Sequence, residues 1–156
     1  MSTKYYIAYG SNLSIEQMKY RCPFAKAEGV AELQDMKMVF RLHATIEKSP
    51  GEKVPVLVWT ITPLDERNLD RYEGYPKYYR KEEIEIEMTD FRRQNPKRVN
   101  AMVYIMNKGY EIETPTDMYY AIIKTSYRRF GFSTEGLAKA YKEAEMKEAE
   151  RKTMYE

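Results

Sequence analysis

One carboxylate in this sequence stands out as a group that could transfer protons. Glu73 lies in the run Leu69–Gly74, at the predicted C-terminal end of a short helix, and tyrosines flank it on both sides. The negative end of a helix dipole destabilises an anion, and burial among aromatic rings removes water from it. Both effects should raise the pKa of Glu73 towards the range useful for a general base. The residues alone leave open an ordinary surface glutamate beside a turn.

A tight turn near the start of the chain is the second candidate. Tyr9-Gly10-Ser11-Asn12 follows a short strand pattern and precedes Ser14, whose spacing from Gln17 is typical of a capped helix start. A strand-to-helix turn leaves backbone amides free to bind a carboxylate or a developing oxyanion. The run has one glycine and no adjacent lysine, so it is not a P-loop. Taken alone it is a weak signal, and a purely structural turn is the alternative.

Other common catalytic chemistries lack their residues. A serine or cysteine triad needs a base, and the sole histidine, His43, lies just after a predicted strand in no catalytic pattern. The sole cysteine, Cys22, cannot form an intramolecular disulfide and favours a reducing, cytoplasmic setting. No spacing supports a carboxylate site for magnesium. The sequence therefore predicts neither a metal nor a cofactor.

The charge balance argues against large anionic partners. Lysine and arginine number 26 against 24 acidic residues, a formal charge of +2, which gives no basis for binding nucleic acid or an anionic membrane. The basic segment 92–98 contains Gln94, Asn95 and Pro96 and is best interpreted as a solvated loop. No apolar stretch approaches the ~20 residues of a membrane span. A soluble protein is expected.

Hydrophobic patterning predicts the elements that must position the two candidates. Strands are predicted over 4–8, 24–42, 54–61, 79–88 and 99–106, and helices after Ser14, Thr62-Pro63 and Thr114-Pro115, with a charged surface helix at about 134–152. A hairpin turn is expected near Gln34-Asp35 and a loop over 48–53. The order of elements indicates a single α+β domain over 1–156, whose mainly antiparallel sheet can close into a barrel.

Taken together, the two candidate segments resemble the γ-glutamylcyclotransferase-like family. Its diagnostic features are an early YGSN loop, here Tyr9–Asn12, and an acidic residue in a later LDxxEG segment, here Leu69–Gly74. Further likeness comes from Tyr6–Leu13, Gln17-Met18, Arg21–Pro23, Ala101–Tyr104 and the helix between Pro115 and Gly131. The resemblance covers almost the whole chain, from about Tyr5 to the start of the last helix.

The resemblance implies a small, mainly antiparallel β-barrel with flanking helices. It also implies a lyase- or transferase-type enzyme that needs no cofactor. In such an enzyme the α-amine of a small γ-glutamyl substrate attacks its own γ-carbonyl and releases 5-oxoproline and an amine or amino acid. Carried over residue by residue, Glu73 is the catalytic acid–base group, and the substrate-binding residues are Tyr6, Ile7, Ala8, Tyr9, Gly10, Ser11, Asn12, Leu13 and Tyr119, with Tyr120 as the alternative to Tyr119.

Two other interpretations remain open at this stage. One is a module of the same fold that binds a γ-glutamyl or amino-acid-like ligand without turnover. The other is a scaffold whose charged last helix docks a partner, although its narrow apolar stripe is more typical of a solvated surface helix. A carboxylate at Glu73 favours the enzyme over the binding module.

Overall fold

The computed structural model describes residues 2–154, and a closed five-stranded barrel forms its centre. The strands are β1 (Lys4–Ala8), β2 (Lys26–Arg41), β3 (His43–Ile61), β4 (Tyr79–Thr89) and β5 (Lys97–Met106). They close in the order β1–β3–β2–β4–β5. Neighbouring strands are antiparallel except for β1 and β5, which are parallel. The expected α+β class with a mainly antiparallel barrel is confirmed.

Strands β2 and β3 form one long hairpin, which differs from the sequence prediction in two places. The prediction of a hairpin turn near Gln34-Asp35 is wrong. Strand β2 continues through these residues, and the chain reverses direction at Leu42. The loop expected over 48–53 is instead a bulge inside β3, in which residues 49–52 lie opposite Asp35. The Asp35 carboxylate accepts a hydrogen bond from the Gly51 amide at 2.9 Å. Strand pairing on both sides of the bulge therefore overrides the local turn composition.

The barrel closes over a short contact between β2 and β4. Val30 pairs with Thr89, and Ala31 pairs with Met88. Gly29 comes just before this contact, and a Cβ atom there would lie 1.9 Å from the carbonyl oxygen of Thr89. Glycine is therefore needed for the two backbones to approach each other.

Four helices and a short 3-10 turn flank the barrel within residues 2–154. They are the turn at Ser11–Leu13, α1 (Ile15–Arg21), α2 (Pro63–Glu73), α3 (Asp117–Arg129) and α4 (Glu135–Met154). The predicted cap of α1 is present, since the Ser14 hydroxyl accepts a hydrogen bond from the Gln17 amide. Thr62 and Asp65 form a capping box that starts α2. Both helices thus begin where the sequence indicates.

Helix α2 ends at Gly74, where the site begins. Gly74 adopts φ 68°, and a Cβ atom there would lie 2.5 Å from the ring of Tyr78. Leu69 is fully buried, as expected, but Leu64 and Tyr72 are largely exposed rather than facing the core. The reason is that α2 buries only a narrow side against the barrel, so Tyr72 projects towards the neighbouring loop instead.

Helix α4 lies along β2 and covers one side of the barrel. The sequence predicts an apolar stripe of Leu137, Ala140, Tyr141 and Ala144 on this helix; three of these residues are buried and Tyr141 is partly buried. Within residues 2–154, no helix combines the length and apolar character required to cross a membrane.

Candidate active site

A cavity of about 670 Å³ brings the two candidate segments together. Glu73 and Gly74 at the end of α2 line it, as do Gly10, Ser11 and Asn12 after β1. The rest of its lining comes from β1, the β2–β3 turn, the start of β4, the end of β5, the segment 109–113 and Tyr119 of α3. A larger groove, about 1090 Å³, runs between β2, β4 and α4, but it contains neither candidate segment. Residues more than 60 positions apart in the sequence therefore share one pocket.

Glu73 is a half-buried carboxylate whose ionised form is poorly stabilised. Burial raises the pKa of Glu73 from 4.5 to about 7, and the Arg21 guanidinium opposes this rise. Within the described part of the chain, no hydrogen bond reaches the Glu73 carboxylate to offset its lost hydration. The pKa therefore moves in the direction predicted from the sequence, with desolvation as the largest cause. A carboxylate with a pKa near neutrality can both accept and return a proton.

The turn after β1 presents backbone groups to the same cavity. The Leu13 amide donates to the Gly10 carbonyl at 3.0 Å, which closes the 3-10 turn. Among residues 2–154, the amides of Gly10 and Ser11 have no backbone or side-chain acceptor. The Asn12 side chain donates to the Tyr6 hydroxyl at 2.9 Å, so the turn is anchored to the strand that leads into it. The free amides can therefore bind a carbonyl oxygen or an oxyanion.

Tyrosines form much of the wall around Glu73 and reduce its contact with water. The Tyr9 hydroxyl donates to the carbonyl of Tyr104 at 2.6 Å, and the Tyr79 hydroxyl donates to the carbonyl of Ala44 at 2.7 Å. Burial raises the pKa of Tyr9 and of Tyr79 well above the ordinary value, so both remain neutral. Their hydroxyls are engaged with backbone carbonyls, and they therefore contribute mainly a dry aromatic surface beside the carboxylate.

Tyr119 differs from Tyr9 and Tyr79 because its hydroxyl donates no hydrogen bond to any residue in 2–154. Its hydroxyl accepts a hydrogen bond from the Ala44 amide at 3.0 Å, and burial raises its pKa. A Cβ atom at Gly10 would lie 3.2 Å from this hydroxyl, which places Tyr119 beside the turn. Among the described residues its proton has no acceptor, so it can be donated to a bound ligand.

The structure also separates Tyr119 from Tyr120. Tyr119 lines the cavity, whereas Tyr120 packs against Phe40 and Tyr141, with ring centroids 5.9 Å and 4.7 Å away. Of the two, Tyr119 is therefore the one placed to contact a ligand. His43, interpreted from the sequence as an ordinary strand-end residue, lies at the cavity rim with its ring 5.2 Å from that of Tyr119.

Most, but not all, of the predicted binding residues face the cavity. Seven of the nine line it, namely Tyr6, Ile7, Tyr9, Gly10, Ser11, Asn12 and Tyr119. Ala8 and Leu13 do not: they are buried in the core, with 2% and 0% of their surface exposed. Any effect of Ala8 or Leu13 on binding must therefore act through the shape of the turn.

Sequence reasoning assigned no role to several residues that complete the site. Arg21, Tyr72, Tyr79 and Tyr104 lie in or next to the cavity. The Tyr104 hydroxyl donates to the Asp70 carboxylate at 2.6 Å, which links β5 to α2. The abundance of tyrosine around Glu73 was a signal for an aromatic wall, but which tyrosines face the pocket depends on how the barrel closes.

Comparison with known proteins agrees with this arrangement. The family model "Gamma-glutamyl cyclotransferase, AIG2-like" matches residues 6–128. The γ-glutamylcyclotransferase of Homo sapiens is 33% identical over 142 residues, covering 83% of this chain and 73% of the human protein. That of Mus musculus is 33% identical over 150 residues, covering 88% and 74%. A solved structure titled γ-glutamyl cyclotransferase superposes with a TM-score of 0.75 at 30% identity, covering 89% of this chain and 86% of that one.

The barrel, the cavity and these matches define a γ-glutamylcyclotransferase-type enzyme. This chain belongs to the γ-glutamyl cyclotransferase, AIG2-like family.

Proposed function

We propose that this enzyme cyclises a γ-glutamyl amide into 5-oxoproline, with Glu73 as the group that accepts and returns the proton. The observation that carries the proposal is the position of Glu73. Its carboxylate has a pKa raised by burial to about 7 and lines the same cavity as the free amides of the turn after β1. At neutral pH a large fraction of Glu73 is ionised and can act as a base, and its protonated form can act as an acid.

The turn after β1 is the proposed binding site for the γ-glutamyl group. The backbone of Tyr6–Ser11 would hold that group, with Gly10 allowing close approach because it has no side chain. The Gly10 and Ser11 amides would donate to the γ-carbonyl oxygen as negative charge develops on it. Tyr119 is a further proposed donor, because its hydroxyl lies beside the turn and keeps its proton free.

The reaction proceeds within one bound molecule. Glu73 removes a proton from the substrate α-ammonium group, and the freed lone pair attacks the γ-carbonyl carbon to form a five-membered ring. The tetrahedral oxyanion collapses, the bond between the carbonyl carbon and the departing nitrogen breaks, and Glu73 returns its proton to that nitrogen. Because nucleophile and carbonyl belong to one molecule, holding the substrate folded supplies much of the rate.

A cytoplasmic location is part of the proposal. Its support is Cys22, the one cysteine of the chain, which is a free and buried thiol suited to a reducing compartment.

The proposal is tested by incubating the purified protein with a panel of γ-glutamyl amino acids and γ-glutamylamines. Mass spectrometry would follow 5-oxoproline and the released amine, which should appear in equal amounts. The matched control is the same substrate acetylated on its α-nitrogen, which cannot attack and should stay intact. Release of glutamate instead of 5-oxoproline, or tight binding without turnover across the panel, would contradict the proposal; the second result would identify a ligand-binding module.

A further inference from the structure

Arg21, the last residue of α1, joins the two halves of the site. Its guanidinium lies over the ring of Tyr72 at 3.3 Å from the ring centroid. It also donates a hydrogen bond to the side-chain oxygen of Asn12 in the turn after β1. The Tyr72 hydroxyl in turn lies 2.8 Å from the Ser11 hydroxyl. One arginine therefore contacts both the proposed binding turn and the helix end that carries Glu73.

We propose that Arg21 is a positioning residue that clamps the binding turn to the end of α2 and so sets the spacing between the turn and Glu73. This inference rests on the proposed function, because that spacing matters only if both segments act on one substrate. Small errors in such spacing are costly, since a misplacement of ~1 Å can lower a rate about 10²-fold.

The geometry requires arginine rather than any cation. A guanidinium is planar, so one face can stack on an aromatic ring while its edge donates to an acceptor; a lysine ammonium cannot do both. The Arg21 backbone is itself fixed, because its carbonyl accepts a hydrogen bond from the Asn68 side chain of α2 at 3.1 Å. Asn12 is almost fully buried, so loss of Arg21 would leave its oxygen without a partner. The clamp is thus anchored at both ends.

The charge of Arg21 also acts on Glu73. It opposes the effect of burial and keeps the pKa of Glu73 lower than burial alone would set it. The ionisable groups that line the cavity with Glu73 come from several elements: Tyr6 of β1 and Tyr9 after it, Arg41 and His43 at the β2–β3 turn, Arg71 and Tyr72 of α2, Tyr78 and Tyr79 around the start of β4, Tyr104 of β5, Tyr110, Glu111 and Glu113 before α3, and Tyr119 of α3. Arg21 is the one whose charge lowers the pKa of Glu73.

Two substitutions of Arg21 separate the effect of its stacking on Tyr72 from the effect of its charge on Glu73. Arg21→Lys keeps the charge but loses the stack, whereas Arg21→Met loses both. We expect both variants to lower kcat at the pH plateau by roughly 10-fold or more, and only Arg21→Met to move the acid limb of kcat/KM upward, by about 1 pH unit. The control is Arg98→Met, which removes an exposed arginine paired with Glu85 on the outside of the barrel and should change neither quantity.

A second readout does not depend on turnover. Amide hydrogen exchange at Gly10, Ser11 and Asn12 should accelerate in Arg21→Met relative to wild type and to Arg98→Met. The ¹³C carboxyl resonance of Glu73, assigned with Glu73→Gln, should titrate at higher pH in Arg21→Met. If Arg21→Met fails to fold, Tyr72→Leu removes the same stack from its other side and should also accelerate exchange at the turn.

The outcomes distinguish this inference from the proposed function. If wild type releases no 5-oxoproline across the panel, the proposed function is wrong. Amide hydrogen exchange at the turn and the titration of Glu73 would still test whether Arg21 clamps the turn to α2. If wild type is active and Arg21→Lys keeps wild-type kcat and wild-type exchange at the turn, Arg21 acts by charge alone and the clamp is wrong. If Arg21→Met matches Arg98→Met in kcat, pH profile and exchange, Arg21 has no role in the site.

Discussion

Replacing Glu73 with glutamine should stabilise the fold at neutral and alkaline pH, even though it removes the proposed base. Burial raises the pKa of Glu73 from 4.5 to about 7, so the folded state binds its proton more tightly than the unfolded chain does. The resulting stabilisation is complete below about pH 4.5 and is lost as pH rises through about 7. Glutamine cannot ionise, so the variant should not lose stability in this window.

The size of the effect follows from the two pKa values. At ~1.36 kcal/mol per pKa unit, the change from 4.5 to about 7 sets an upper limit of about 3 kcal/mol. Part of the side chain faces the open cavity, so solvent screening reduces the expected gain to about 2 kcal/mol. In a chain of this size that corresponds to an increase in Tm of about 5 °C.

Urea unfolding of wild type and Glu73→Gln at pH ~5 and ~8 would measure this difference, with unfolding free energies compared at each pH. The control is Glu87→Gln, which changes an exposed glutamate on β4 and should show no comparable gain at the higher pH. Equal stability of wild type and Glu73→Gln at both pH values would refute the reasoning. So would a variant that is less stable at pH ~8, because either result would mean that the ionised carboxylate is well solvated or paired.

Three further predictions follow from the same geometry. The kcat/KM of wild type should rise with pH along a limb with its midpoint near 7, because ionised Glu73 is the base; a midpoint near 4.5 would show that burial does not tune it. Gly10→Val should raise KM roughly 10-fold or more with the circular dichroism spectrum unchanged, since a Cβ there lies 3.2 Å from the Tyr119 hydroxyl; wild-type KM would argue against binding at this turn. Gly29→Ala should cost about 3 kcal/mol in urea unfolding, because its Cβ would lie 1.9 Å from a backbone oxygen of β4. Gly136→Ala, which meets nothing within 4 Å, is its control, and equal stability of the two variants would contradict the account of barrel closure.

Local signals in the sequence predicted much of this structure. The cap at Thr62, the stop at Gly74 and the alternation along β4 each depend on neighbouring residues, and each appears where expected. Which leucines and tyrosines of α2 face the core was harder to predict, because a short helix has few apolar positions that mark its buried side. Tyr72, which is exposed in the structure, is an example. The resemblance to a family supplied the role proposed for Glu73, which the residues alone left undecided.

Features that depend on long-range pairing could not be predicted. The bulge opposite Asp35 exists because strand pairing resumes on both sides of it, and the sequence of segment 48–53 shows only its irregularity. Arg21 and Tyr72 lie 51 positions apart in the sequence (72 − 21). They come into contact only when α1 packs beside α2. The choice between Tyr119 and Tyr120 likewise needed the orientation of α3 against the barrel.

The turnover of Glu73→Gln on the best substrate of the panel is the most direct test of the proposed chemistry. Glutamine has nearly the same shape as glutamate but cannot accept the α-ammonium proton, so kcat should fall roughly 10²-fold or more. Unfolding measurements on the same sample would confirm that the variant remains folded. A purified, folded Glu73→Gln protein that releases 5-oxoproline at close to the wild-type rate would show that Glu73 is not the base.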